Sequence, residues 1–450
     1  MRIFHSVDMS DIVQQLRNYL NEHPRVYAAF NLAVEIAVRM GIPQLAKWQI
    51  HNLNDYLNFY EKLLNWVPTE KFDGKNIYYH LCIFYFILDL PPVKILQTPI
   101  LPTSTTPYTY LSNWIIRFAK DMGTNMDKPE SLTSESLQTF KKSPIYRMED
   151  YPEPKGGWGS FNRFFAREIY PHLRPIDLPN DDTCIVSPAD SVFDGFWEVE
   201  NDGIIYLKYI PWRISQLLAD SRYSKAFNGG VFTHSFLAPH DYHRQHAPVS
   251  GKVVEAKVID GLCYLEVVAT PDQNGGLSLG MRRGLPPARL GRGAHKKLEG
   301  TPSPEENDLS APDSPGYQFL QARGLIVIEN PDLGFVAVLP IGMCQISSVE
   351  ITVEVGATVS KGQEISYFQF GGSDFVMVFQ EKAHVQFFAT IGQHYNFGQQ
   401  IAKAFPDEGE VRSSENREKK PGKAKIPEGD GDYSLLSPPE AEPEGPDFLL

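Results

Sequence analysis

Cysteine is scarce in this 450-residue chain. The four residues Cys82, Cys184, Cys263 and Cys344 are far apart and form no CxxC pair. That spacing argues against a zinc site or a disulfide framework and fits a reducing compartment, so a cytoplasmic location is expected. Long apolar runs are also missing. The most apolar stretch, Ile77 to Leu88 (IYYHLCIFYFIL), contains His80 and is followed by Asp89 and two prolines. It falls short of the roughly 20 residues a membrane helix needs, so a buried helix is expected there and no transmembrane segment. The opening MRIFHSVDMSDIVQQL has acidic residues where a secretion signal would be apolar, so no targeting segment is expected. Basic residues are outnumbered, and a net charge of −13 argues against nucleic acid as the partner.

What is present divides into four stretches. Residues 1–145 read as a helical region, because NEHPRVYAAFNLAVEIAVRM and YLNFYEKLLNWV place apolar residues at i, i+3, i+4 and i+7. SLTSESLQTFKK resumes the pattern after a Pro/Thr-rich break, with Thr133 and Ser134 as candidate caps. From about residue 180 the chain becomes β-rich. Short runs such as KVVEAKVI, GLIVIEN, FVAVLPI, VEITVEV and DFVMVFQ alternate with Gly and Pro. Within it, residues 271–315 are dense in Gly, Pro, Arg and Ser and read as an inserted loop. Residues 406–450, rich in Glu, Pro, Lys and Gly, read as a disordered acidic tail. The fold class expected is α+β: a helical N-terminal region followed by a β-rich catalytic core.

Three separated pieces of the β-rich region carry chemistry. VSPADSVFDGF holds Asp190, THSFLAPHDYHRQHAPVSG holds His234, His240, His243 and His246, and KGQEISYFQFGGSDF holds Gly371, Gly372 and Ser373. Each alone has an ordinary reading as a turn, a cap or polar surface. Together they supply the Asp, His and Ser of a proton relay. A hydrolase using that relay would carry a nucleophile elbow such as GxSxG, and FGGSDF does not fit it. A serine behind two glycines can instead attack its own preceding peptide, because glycine leaves that carbonyl uncrowded and tolerates strained angles. The amide becomes an ester. Elimination at the serine Cα leaves a dehydroalanine, which hydrolyses to ammonia and a pyruvoyl group. A non-catalytic binding module is the alternative if the serine never cuts. His234 and His240 read as structural polar contacts.

At this point the chain resembles the phosphatidylserine decarboxylase family, over roughly residues 157–402. FFAREIYPHLRP, SPAD, FLAPHDYHRQHAPVSG, GATVSKGQEISYFQFGGS and FGQQIA match family motifs in order. The helical N-terminal region, GWGSFNRFF and the use of GGS are similar to the soluble fungal L-tryptophan decarboxylase-like branch, whereas the Asp of SPAD is closer to the phospholipid-type enzymes. The resemblance implies cleavage between Gly372 and Ser373 and a covalent pyruvoyl cofactor derived from Ser373. It implies a self-cleavage relay of Asp190, His246 and Ser373, and a role for His243 in decarboxylation. The pyruvoyl ketone takes the substrate amine as a Schiff base and acts as an electron sink. No metal is implied. The implied activity is that of a carboxy-lyase. It removes the α-carboxylate as CO₂ from an amine-bearing substrate, a soluble aromatic amino acid or, as the alternative, phosphatidylserine. The partners implied are that substrate and the chain's own cleaved fragment, and a homodimer is one assembly open to it. The chain departs from the family at Asp374, where Thr or Ser generally follows the cleaved serine.

Overall fold

A computed structural model describes residues 10–272, 275–282, 315–343, 348–370 and 373–406. Gly371, Gly372, most of the expected insertion and the expected tail lie outside these residues.

Five long helices build the N-terminal layer: α1 (Asp11–Glu22), α2 (Pro24–Arg39), α3 (Leu53–Leu64), α4 (Asn76–Asp89) and α5 (Tyr110–Met126). Four of them are one-sided, as their spacing predicts. Helix α4 is the Ile77–Leu88 run, and it is apolar almost all round because it is the buried centre of the layer. Around it pack Tyr60, Trp114 and Phe118, with ring centroids 5.0 Å apart for Tyr60–Phe84 and for Phe84–Phe118. No helix among the described residues is long and apolar enough to cross a membrane.

Thr133 caps the helix Ser134–Lys142 by accepting the Ser136 amide, and the Ser136 hydroxyl accepts the Thr133 amide in return. Ser134 is the first helical residue rather than the cap. Thr133→Ala is expected to lower stability by about 1 kcal/mol, measured by urea unfolding.

The β-rich region is organised by one eight-stranded antiparallel sheet. Its strands in chain order are β1 (Ser191–Glu198), β2 (Val231–Leu237), β3 (Gly251–Ile259), β4 (Arg323–Asn330), β5 (Gly334–Gly342), β6 (Thr358–Val359), β7 (Ser373–Phe379) and β8 (His394–Tyr395). They lie side by side as β6-β3-β4-β5-β7-β2-β1-β8. Both faces of its middle are covered. Ile326, Val338, Phe375 and Met377 pack in one hydrophobic cluster, and Leu325, Leu339, Val376 and Val378 in another. Burial on both faces explains why these strands read as continuous apolar runs. The helical layer joins the first cluster and is tied to the hairpin Glu266–Pro271/Leu277–Arg282. Asp89 accepts the Val267 amide and the Tyr78 hydroxyl accepts the Met281 amide, each at 2.8 Å. The α+β class is as expected, and helices and sheet fall in one compact unit.

Several local expectations change. The stretch expected as a loop from Pro271 begins instead as a strand, Leu277–Arg282, paired with Glu266–Pro271. Asp272 accepts the Gly276 amide and closes the turn, so these glycines belong to a hairpin and not to an open loop. The run GIIYLKYI (203–210), which reads as one short β-type run, is two strands, because Lys208 and Tyr209 adopt φ of 45° and 66° and turn the chain. VEITVEV contributes only Val349–Ile351. The sequences of strands β1 and β2 show no clean polar–apolar alternation, since Asp194, Gly195, Thr233, His234 and Ser235 interrupt it, although burial alternates along β1.

Candidate active site

The three chemistry-bearing pieces meet at one end of the main sheet. Ser373 opens β7 and pairs with Leu237 at the end of β2, while Ser191 at the start of β1 pairs with Tyr395 of β8. Asp190 immediately precedes β1. The His243–His246 segment follows β2 by a short loop and forms the strand Arg244–His246, paired with Glu364–Phe368. That second strand ends at Phe368, shortly before Ser373 in the chain. His246 lies opposite Glu364, at its far end, whereas the His243 carbonyl accepts the Phe368 amide at the near end. Three residues of strand span about 10 Å, so His243 stands closer along the ladder to the end that precedes Ser373.

The two histidines are fixed in opposite tautomers. His243 is fully buried, stacked on Phe165 with centroids 3.9 Å apart, and its Nε2–H donates to the Pro239 carbonyl at 3.2 Å. Its Nδ1 has no hydrogen-bond partner among the described residues. Burial, followed by the Arg167 charge, pulls its pKa down to about 3. His243 is therefore a neutral imidazole holding an open acceptor at Nδ1. His246 donates Nδ1–H to the Gly362 carbonyl at 2.8 Å and lies flat on Phe397, centroids 3.7 Å apart. Its Nε2 accepts the Tyr242 hydroxyl at 3.2 Å. Burial pulls its pKa down to about 4.

Asp190 differs from the relay drawn from sequence. Its carboxylate takes the Arg174 guanidinium in a two-pronged pair, Nε at 3.1 Å from both oxygens, and the Phe397 amide at 2.8 Å. Among the described residues it makes no hydrogen bond to His246, because Arg174 and Phe397 fill its acceptor sites and Gly362 already orients the imidazole. Asp190 reaches His246 through Phe397, whose amide it holds and whose ring covers the histidine. Arg174 lies in FFAREIYPHLRP, one of the stretches that carry the resemblance, and the structure gives it this partner.

Around His243 lies an aromatic and cationic surround. Arg167 is buried, stands 4.1 Å over the Tyr151 ring, and donates to the His240 carbonyl at 3.2 Å. His394 meets Asp241 at 3.1 Å, and that hydrogen bond holds its pKa up despite burial. Nothing in the sequence pointed to His394, which is far along the chain in an unremarkable GQHYNFG. His234 is deeply buried in the sheet, between Asp194 and Asp374. Ser373 has a defined place in the sheet, its partners being Leu237 and Gly342.

The start of β7 at Ser373, set between Leu237 and Gly342, and a buried neutral imidazole whose Nδ1 has no partner among the described residues fit a serine-derived carbonyl group at Ser373. That group, when formed, supplies the electron sink for loss of CO₂.

The sequence profile described as phosphatidylserine decarboxylase matches residues 161–403, more than half of the chain. The chain is 30% identical to the decarboxylase iboD of Amanita muscaria, over 67% of this chain and 84% of that protein. It is 26% identical to phosphatidylserine decarboxylase proenzyme 3 of Schizosaccharomyces pombe, over 57% of this chain and 22% of that protein. It is also 26% identical to the proenzyme of Fusobacterium nucleatum, over 60% and 74%. The chain belongs to the phosphatidylserine decarboxylase family and is a carboxy-lyase.

Proposed function

We propose that the chain cuts itself between Gly372 and Ser373, carries the resulting pyruvoyl group at the head of β7, and decarboxylates a soluble, aromatic amino acid. The helical layer, residues 1–145, supports the catalytic core, residues 157–405. Self-cleavage needs a hydroxyl deprotonated and a leaving amine protonated. His246, with Tyr242 on its Nε2 and Asp190 behind Phe397, serves that step. His243 faces the substrate side. Its open Nδ1 accepts an N–H of the bound amine, a role suited to an imidazole that burial keeps neutral.

The observation that carries the soluble-substrate reading is the burial of the Ile77–Leu88 run. The most apolar segment of the chain forms the centre of the helical layer, with Ile77, Leu81, Phe84 and Leu88 each fully covered. Its apolar surface is used inside the protein and not against lipid. The rings of Phe165, Tyr146 and Tyr151 near His243 and Arg167 suit a flat aromatic acid.

The test is CO₂ release from free tryptophan, from related amino acids and from phosphatidylserine vesicles. Turnover of a free amino acid is expected. Turnover with vesicles alone assigns the phospholipid substrate and defeats this reading.

A further inference from the structure

The residue behind the cleavage serine is a carboxylate with no solvent. Asp374 is fully buried in β7, next to Ser373. Its Oδ2 lies 3.5 Å from Nε2 of His234, itself fully buried in the neighbouring strand β2. The other ring nitrogen, Nδ1, lies 2.7 Å from Oδ2 of Asp194 in β1. Three adjacent strands thus contribute one side chain each to a line of carboxylate, imidazole and carboxylate.

The sheet is bent to make this line. The β1–β2 register shifts between Phe193 and Gly195, leaving Asp194 as an extra residue opposite His234. Such a bulge re-aims the side chain it carries. Gly195 adopts φ +139°, a conformation that favours glycine. The Gln318 side-chain amide closes the far side at 3.1 Å from Nε2. Its Oε1 and Nε2 are interchangeable by a flip, and with Oε1 turned inward it accepts the same N–H. Burial alone would lower the His234 pKa, but Asp374 and Asp194 outweigh it and raise it to about 9. The imidazole is a cation with a hydrogen on each nitrogen, one for each carboxylate.

We propose that His234, aimed by Asp194, is a positioning residue that pins the Asp374 carboxylate and so holds the new chain end in the sheet once the backbone is cut at Ser373. The proposal rests on the reading of Ser373 as the cleavage site. Before the cut, Ser373 is tethered through Gly372. After it, the covalent hold on that side is gone, and chain ends fray unless tied down. Asp374 is then the first residue behind the pyruvoyl group. A side-chain tie there keeps the pyruvoyl amide aligned with the histidines. It also gives the departure at Asp374 a function, because the carboxylate faces His234 and is neutralised there.

The test is hydrogen exchange by mass spectrometry on peptides from the start of β7, in self-cut wild-type protein and in variants. His234→Ala and Asp374→Ala are expected to speed exchange there tenfold or more. Asp374→Asn, which keeps an acceptor for Nε2–H, is expected to stay within threefold of wild type. Wild-type exchange in folded, self-cut Asp374→Ala overturns the proposal, and so does an Asp374→Asn end as loose as the alanine one. Should the alanine variants not fold, Asp374→Asn still decides: tenfold faster exchange in the folded, cut chain overturns it, and near-wild-type exchange supports it. A wild-type chain that never cuts defeats the cleavage reading itself, and this inference with it.

Discussion

Mass spectrometry of the purified protein is expected to show two chains, Met1–Gly372 and Ser373–Leu450, in place of one of 50.8 kDa. Ser373→Ala is expected to leave a single chain with no decarboxylase activity at all. The effect is absolute because the serine is both the nucleophile of the cut and the source of the carbonyl that drives loss of CO₂. The alanine variant should fold as the wild type does. Its place in the sheet is set by backbone pairing with Leu237 and Gly342, which alanine keeps. A gel, a far-ultraviolet circular dichroism spectrum and a CO₂ assay on the two proteins check this together. An intact wild-type chain that still releases CO₂ would remove the self-made cofactor from the account.

The two histidines are expected to separate the cut from the catalysis. His246→Ala should remain whole, and Asp190→Asn with it. His243→Ala should cut itself and then decarboxylate on the order of 10²–10⁴-fold more slowly, the loss typical of removing an acid–base group. The structural ground is the difference in tautomer. His246 has both nitrogens engaged, by Gly362 and Tyr242, so it is rigidly placed in a hydrogen-bonded chain. His243 has one nitrogen engaged and one open. The measurement is the ratio of cut to uncut chain beside activity per cut chain. A His243→Ala protein that stays whole would hand the self-cleavage base to His243, the imidazole nearer along the ladder to the end that precedes Ser373.

Much of this was legible in the sequence because the informative residues are close together in it. His243 and His246 sit in one short motif, and Ser373 follows two glycines. The Ile77–Leu88 run announced a buried helix by its length alone. The rest depended on distances the chain does not display. Asp190 reads as a relay acid until Arg174 is seen to occupy its oxygens. His394 becomes notable only when the fold brings it to Asp241, far earlier in the chain. Asp194 and His234 lie in strands whose polar residues hide the β pattern, and a bulge, not a periodicity, joins them. His234 reads as a structural contact until its neighbour in the next strand proves to be Asp374. The hairpin at Leu277–Arg282 was masked by glycines that serve its turn.

Strand β7 has a neighbour on each side, β5 along Val336–Gly342 and β2 along Val231–Leu237. A cut before Ser373 therefore frees a fragment whose first segment is an interior strand of the sheet. The two pieces share a single set of backbone hydrogen bonds and a single core. They cannot trade partners with other copies by simple dissociation, because withdrawing the smaller piece would split the sheet in two. Separating them would amount to unfolding the protein, so a chain cut before Ser373 is expected to unfold in one cooperative transition.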